Sequence, residues 1–248
     1  MPIRLKFWPT VITVPALALL LGLGIWQVER MQGKDALIEE IRIRTAARPI
    51  ALPSSRRIGL ADIVFRPVTV TGQYDFASEL FLLDRMRGGK PGLHLITPFI
   101  RADDAGIVLV DRGWIPLDRR DPETRASSRA GGDVTITGIV RTPEPHGWLT
   151  PANKPAENEW FFIDLPEMSE AAGIWPVSEY YILATAEAPA GESPLSAGSR
   201  VSWPVANEWR VTIVNDHLSY AIIIFFLAAG LAIGFAVYHL NLKPDDDD

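Results

Sequence analysis

Two long uncharged runs bracket a chain whose middle alternates between apolar and polar residues. From Phe7 to Val28 no side chain carries a charge, and the same holds from Leu218 to Tyr238. At about 1.5 Å of rise per residue, each run as a helix covers roughly the 30 Å of a bilayer core. The pattern predicts transmembrane helices over 7–28 and 217–238. A cleaved signal peptide is the alternative for the first, because Arg4 and Lys6 precede the apolar run and Gly22-Leu23-Gly24 is a small-x-small triplet. Pro9 and Pro15 start or kink this helix, and Trp26 stands where interfacial aromatics gather. Val28, Met31, Leu37, Ile38 and Ile41 continue a loose helical pattern beyond the span until Pro49 and Pro53.

From Val64 the period changes to two. Pro67 to Tyr74, Leu80 to Asp84, Leu93 to Ile100, Ile107 to Val110, Asp133 to Arg141, Glu159 to Asp164, Glu179 to Ala184 and Trp209 to Val214 read as strands. Gly88 to Gly92 and Asp103 to Gly106 read as turns, and Pro166 to Ala172 as a short helix with proline at its start. Arg119 to Gly132 is a polar excursion, Thr142 to Pro155 a proline-rich loop that is either ordered by its Trp148 or simply mobile, and 185–204 a loop or insertion. The expected architecture is α+β, with two transmembrane helices flanking one β-rich antiparallel domain over 29–216, a tail over 1–6 and an acidic tail over 239–248.

Composition fits that picture. Of 248 residues 48% are hydrophobic and mean hydropathy is +0.11, which suits a globular domain with one or two spans. A net charge of −6 argues against nucleic acid as a partner. The chain has no cysteine, which excludes disulfides, thiolate zinc sites, iron–sulfur clusters and covalent haem attachment. A cofactor would need His, Met or oxygen ligands. Positive charge flanks both ends of the first span, so charge bias does not choose an orientation.

Candidate chemistry is sparse. None of the motifs GxSxG, HExxH, P-loop or GxGxxG is present. Of the four histidines, His94 and His146 read as surface or hydrogen-bonding residues. His217 and His239 bracket the second span, about 33 Å apart at helical rise, so they cannot share one iron within a chain. His217 follows Asn215 and Asp216, either of which can cap the helix, and lies at its positive end, where a neutral imidazole keeps a nitrogen free for a metal; the alternative is an interfacial polar residue that anchors the helix at headgroup depth. Gly22, Trp26 and Arg30 recur every four residues along the first helix, while His217 and Tyr220 share a face of the second. A glycine, two aromatics, a histidine and an arginine suit a planar anionic cofactor, and they suit ordinary helix packing with an aromatic belt equally well.

At these residues the sequence resembles the Surfeit locus protein 1 family of cytochrome c oxidase assembly factors. Four blocks carry the resemblance: Gly22 to Arg30 with Lys34; Phe65 to Asp75, continued through Leu82 to Arg85, Gly92 to Pro98 and Val108 to Pro116; Asn158 to Trp160 with Asp164 and Met168; and Asn215 to Ala221. Ile222-Ile223-Ile224-Phe225 stands where the family often has an aromatic pair, Asp111 where Asn is common, and Gly33 where a bulky residue is frequent. The resemblance implies a two-span protein of the bacterial inner membrane with a periplasmic domain and cytoplasmic tails. It implies a non-enzymatic role in delivering haem a, bound transiently, to an oxidase subunit or retaining it there. Partners would be a haem-bearing cytochrome c oxidase subunit, other oxidase assembly factors and membrane lipid. On this reading His217 ligates the haem iron, Trp26 and Tyr220 pack the ring, and Arg30 or Arg112 meets the propionates. A cofactor-free chaperone for an oxidase subunit is the alternative, and a membrane-tethered hydrolase a third.

Overall fold

A computed structural model of the protein describes residues 6–54, 59–129, 131–175, 177–191, 203–208 and 215–240. Helices are α1 (Phe7–Thr45), α2 (Leu60–Ile63), α3 (Leu165–Ala172) and α4 (His217–Leu240). Strands are β1 (Ile50–Ala51), β2 (Pro67–Tyr74), β3 (Leu80–Arg87), β4 (Lys90–Arg101), β5 (Ile107–Pro116), β6 (Val134–Arg141), β7 (Glu159–Trp160) and β8 (Val177–Pro189). The chain divides into two compact units, 1–41 with 211–248, and 42–210.

In the first unit, α1 and α4 are each long and apolar enough to cross a membrane. They leave Val11, Leu19, Ile25, Ile223, Phe226 and Ile233 exposed along their length, a surface that suits lipid rather than water. Pro15 lies inside α1, and the helix continues through it without a break. The two apolar helices and the β-rich domain between them make a membrane protein of the α+β class.

The second unit is built on a closed barrel. Around it the strands run β2, β6, β8, β5 and β4, and a short pairing of β2 with β4 closes the ring. β2 pairs with β4, β4 with β5, and β6 returns beside β2, a Greek-key order into which β8 fits between β6 and β5. One edge of β2 is divided, with β1 against Val68 and Thr69 and β4 against Gly72, Gln73 and Tyr74. β4 divides its edge likewise between β3 and β2. Inside are Val68, Val70, Phe99, Val108, Val110, Ile136, Val140, Ile182 and Ala184, spaced by two or four residues wherever one strand gives more than one, as a pleated interior requires. The opposite faces of β3, β4, β5 and β8 give Leu82, Ile96, Leu109 and Tyr181 to a second core with Trp160, Leu165 and Met168, which α3 and its flanks cover. Asp164 caps α3 by accepting the Glu167 amide at 3.0 Å, and Gly173 ends it at φ 67°.

Several expectations change. The sheet is mixed, because β1–β2, β3–β7 and β5–β8 pair in parallel; closing the Greek key requires β8 to run alongside β5. Lys90 to Gly92 belong to β4, not to a turn, and β5 continues to Pro116. The strand expected over Glu159 to Asp164 stops at Trp160, since its ladder on β3 ends with Leu82↔Trp160. The loop expected from Thr185 begins later. β8 runs to Pro189 because β6 pairs with it as far as Val134↔Pro189, and the Ala-rich composition hides that ladder. In the proline-rich loop, His146 stacks on Phe162 at 4.0 Å, whereas Trp148 is 91% exposed. The strand expected over Trp209 to Val214 lies outside the described residues.

The polar excursion is folded down by charge. Arg125 places both terminal nitrogens on Glu79, at 3.0 and 2.8 Å, with both side chains almost wholly buried. Its Nε donates to the Arg119 carbonyl at 3.1 Å. A run that looks solvated is therefore pinned beside the start of β3.

At the closure, a Cβ on Gly72 would stand 2.1 Å from the Ile100 carbonyl oxygen. Gly72→Ala should therefore destabilise the domain by about 2–3 kcal/mol, as overpacking against backbone does. Gly131→Ala, where a Cβ meets nothing within 4 Å, should change stability by less than about 0.5 kcal/mol. Denaturant unfolding of the two variants in detergent checks the difference, and equal stabilities would refute the tight closure.

Candidate functional site

The pairing of α1 and α4 arises from small residues and two amides. On α4 the less exposed positions are His217, Ala221, Ile224, Ala228, Leu231, Ala232, Phe235 and His239, which recur at the three- and four-residue steps of a single face. Gly24 is the buried residue in the membrane stretch of α1. A Cβ there would lie 2.6 Å from the Phe225 ring, so the absence of a side chain lets the aromatic ring seat directly on the helix. Contacts advance along α1 as they retreat along α4, from Gly24 with Phe225 to Gln27 with His217 and Met31 with Asn215, so the helices are antiparallel.

His217 sits in the first turn of α4, half-buried, with Nδ1 2.7 Å from Oε1 of Gln27. With the amide in this orientation Nδ1 donates its proton to the glutamine oxygen, and in that neutral tautomer the lone pair lies on Nε2. A carbonyl oxygen behind one ring nitrogen fixes tautomer and ring angle, and it raises the basicity of the other nitrogen as a metal ligand. Asn215, expected as a helix cap, instead donates its amide across to α1, to the Met31 carbonyl at 3.1 Å and the Asp35 carboxylate at 2.7 Å. The Asp216 carbonyl accepts the Tyr220 amide and closes the first turn.

The other residues singled out from sequence are placed as follows. Trp26 and Tyr220 are 50% and 55% exposed, and Arg30 is exposed. Trp26 precedes Gln27 by one residue, about 100° around the helix, so the Gly22, Trp26, Arg30 stripe is turned aside from the face that meets α4. A Cβ on Gly22 would meet nothing within 4 Å, so the glycine that admits an aromatic ring is Gly24. His239 is buried near the other end of α4, with Nδ1 2.8 Å from the Phe235 carbonyl.

Arg112 belongs to the barrel domain and is 4% exposed. It donates through Nε and Nη2 to the two oxygens of Glu187 at 3.1 and 3.0 Å, and its guanidinium lies 4.3 Å from the centroid of the Tyr74 ring. Burial opposes its charge, but Glu187, Tyr74 and Glu79 together outweigh that and raise its pKa. Tyr74 donates its hydroxyl to Glu187 at 2.7 Å; desolvation and then the Glu187 charge hold its phenol well above the usual pKa. The neighbouring Asp111 accepts from His94 Nδ1 at 2.9 Å, from the Gly113 amide at 3.0 Å and from Asn207 Nδ2 at 3.2 Å. Gly113 adopts φ 124°, with the Val205 carbonyl 2.1 Å from where a Cβ would be, so this turn of β5 requires glycine.

Gln27 is the residue that sequence reasoning passed over. Its signal was a polar side chain at the very end of an uncharged membrane run, three residues after Gly24 and so on the same face. Among the described residues no cluster of three or more His, Asp or Glu gathers for a metal ion. A metal centre here would rest on a single histidine and a ligand from elsewhere.

Two antiparallel membrane-length helices with a histidine and an amide joined across them, together with a Greek-key barrel domain, define the class to which the chain belongs. The SURF1 family model matches residues 14–229. Surfeit locus protein 1 of Mus musculus is 32% identical over 233 residues, covering 87% of this chain and 70% of that protein. The Homo sapiens protein of the same name is 32% identical over 84% of this chain and 70% of its own length. A SURF1-like protein of Monosiga brevicollis is 32% identical over 90% of this chain and 83% of its own. The chain is a member of the SURF1 family.

The Gly24 contact can be measured as a coupling. Gly24→Val should lower stability in detergent by about 1–3 kcal/mol, because the Phe225 ring must move. Phe225→Ala in that background should recover part of the loss, with a coupling of at least about 0.5 kcal/mol in the double-mutant cycle. Strict additivity would show that the two residues do not touch.

Proposed function

We propose that the chain is a non-enzymatic factor in cytochrome c oxidase assembly that binds haem a through His217 and assists its delivery to, or retention by, a haem-bearing oxidase subunit. The observation that carries this reading is the hydrogen bond from His217 Nδ1 to Gln27, which presents Nε2 as a neutral, oriented ligand in the first turn of a membrane helix. Membership of the family supports the role in oxidase assembly. The residues fit an axial haem ligand: the imidazole is half-buried, its second nitrogen is occupied, and its first is free. Seating of Phe225 on Gly24 fills the space between the helices at that level. The aromatic faces available to a macrocycle are then those of Trp26 and Tyr220, and Arg30 is the exposed cation for its propionates. Arg112 already gives Nε and Nη2 to Glu187 and is left out of this assignment.

A haem supplied with one protein ligand is held less firmly than one with two, and that suits a carrier that must release its load. We place the protein in a bacterial inner membrane, with its barrel domain on the periplasmic side and both tails in the cytoplasm. Its partners are the oxidase subunit and other assembly factors.

The test is the visible spectrum of detergent-purified protein from cells that make haem a. Wild type should show bound haem a, His217→Ala should lose it or change its spectrum, and Gln27→Leu should weaken binding by roughly 10–100-fold while retaining some haem. Identical spectra for wild type and His217→Ala would remove His217 as ligand. A haem-free wild type that still co-purifies with an oxidase subunit would replace the carrier with a cofactor-free chaperone.

A further inference from the structure

Apart from the membrane helices, the barrel domain holds a cluster whose charge and donors do not balance. Arg112, Arg125 and Arg129 converge on Glu79 and Glu187, three cations on two carboxylates. Arg125 has a partner at each of its three nitrogens, in Glu79 and the carbonyls of Arg119 and Arg120. The other two are not. Arg112 spends Nε and Nη2 on Glu187 and Nη2 also on the Ser128 carbonyl at 3.0 Å, but its Nη1 is buried without a hydrogen-bond partner among the described residues. Arg129 gives Nη2 to the Phe76 carbonyl at 2.5 Å, while its Nε, also buried, has only Glu79 at 4.0 Å, too far for a hydrogen bond.

The two incomplete guanidiniums share a wall. Arg112 lies 5.3 Å and Arg129 5.4 Å from the centroid of the Phe76 ring, and Arg112 bonds the residue next to Arg129 in sequence. Phe76 is partly exposed and Arg129 keeps 29% of its side chain in solvent, so the cluster borders solvent on the side of these two residues. A buried cation with an unused donor is costly, and a second one beside it along with a surplus positive charge calls for an acceptor that carries negative charge.

We propose that Arg112 and Arg129, with Phe76 as the wall between them, form a binding site for a small oxyanion of the carboxylate or phosphate type. Its oxygens accept from Arg112 Nη1 and Arg129 Nε. The site is independent of the haem reading, since none of its residues lies on the membrane helices and no step in it uses the histidine. Sequence pattern alone did not single out Arg129, which lies in a run that reads as solvated surface.

The experiment uses the full chain, purified in neutral detergent from cells that make no haem a and held at constant ionic strength. Thermal unfolding is followed while sodium phosphate or sodium acetate replaces a bulky sulfonate salt. Wild type should show a saturable rise in unfolding midpoint of roughly 3 °C or more. Arg129→Gln should lose that rise, and Arg119→Gln, at a neighbouring half-buried arginine whose side chain bonds the Thr124 carbonyl instead of the cluster, should keep it. A response to acetate alone assigns the ligand as a carboxylate, and a response to phosphate alone assigns it as a phosphate. Equilibrium dialysis of labelled phosphate or acetate against wild type, expected to give about one anion per chain, reads the site without any variant. No saturable response in wild type, or the same response in Arg129→Gln, would overturn the proposal and leave water as the occupant of the cluster.

Discussion

A polar group taken out of water must find a partner or the fold loses the cost of its desolvation, and this constraint shapes both units of the protein. In the barrel domain it explains why a segment as polar as Pro122 to Arg129 is ordered at all. Burying Arg125 without Glu79 would leave a naked charge, so ion pair and segment form together. The same holds at Asp111, buried beneath His94, the Gly113 amide and Asn207, where one carboxylate ties two strands to the chain around Val205. In the helical unit the partner requirement is stricter still, since hydrocarbon offers no water to fall back on. Gln27 and His217 answer each other there, and the answer sets the register of the helix pair as surely as the glycine and aromatic below them do.

The parts of the fold legible in the sequence are those governed by local pattern. The two uncharged runs gave the membrane helices, alternation gave β2, and Pro166 gave the start of α3 to within a residue. Parallel pairing was hidden because it depends on which strand returns where. Only closure of the ring, through three residues of β2 on β4, puts β8 beside β5. The end of β8 was hidden for a different reason: Thr185 to Pro189 has the small residues of a loop and becomes a strand through the ladder that β6 offers.

The candidate site was half legible. A histidine at the mouth of a membrane helix stands out by itself, and so do an arginine and a tryptophan repeated every four residues. Spacing says that residues share a face, however, not what that face meets. The stripe of Gly22, Trp26 and Arg30 is real as a stripe, yet the face that packs on α4 lies about 100° away, where Gly24 and Gln27 are. Choosing between the two faces needs the partner helix, and its clue is the bulk of Phe225, which only a glycine in register can accept.

Gln27 is a weak partner for a histidine compared with a carboxylate, and that weakness suits the proposed task. A carboxylate behind the ring would draw it toward the imidazolium or make it a strongly basic ligand; in hydrocarbon it would also have to be neutralised itself. An amide oxygen carries no charge, so it can fix the tautomer of the imidazole without a counter-ion and without strengthening the iron bond more than a temporary ligand needs. A site that must load and unload the same group works best when its ligand is held firmly in orientation and only moderately in strength. A neutral hydrogen bond between two helices, locked in register by a glycine and an aromatic ring, supplies that combination.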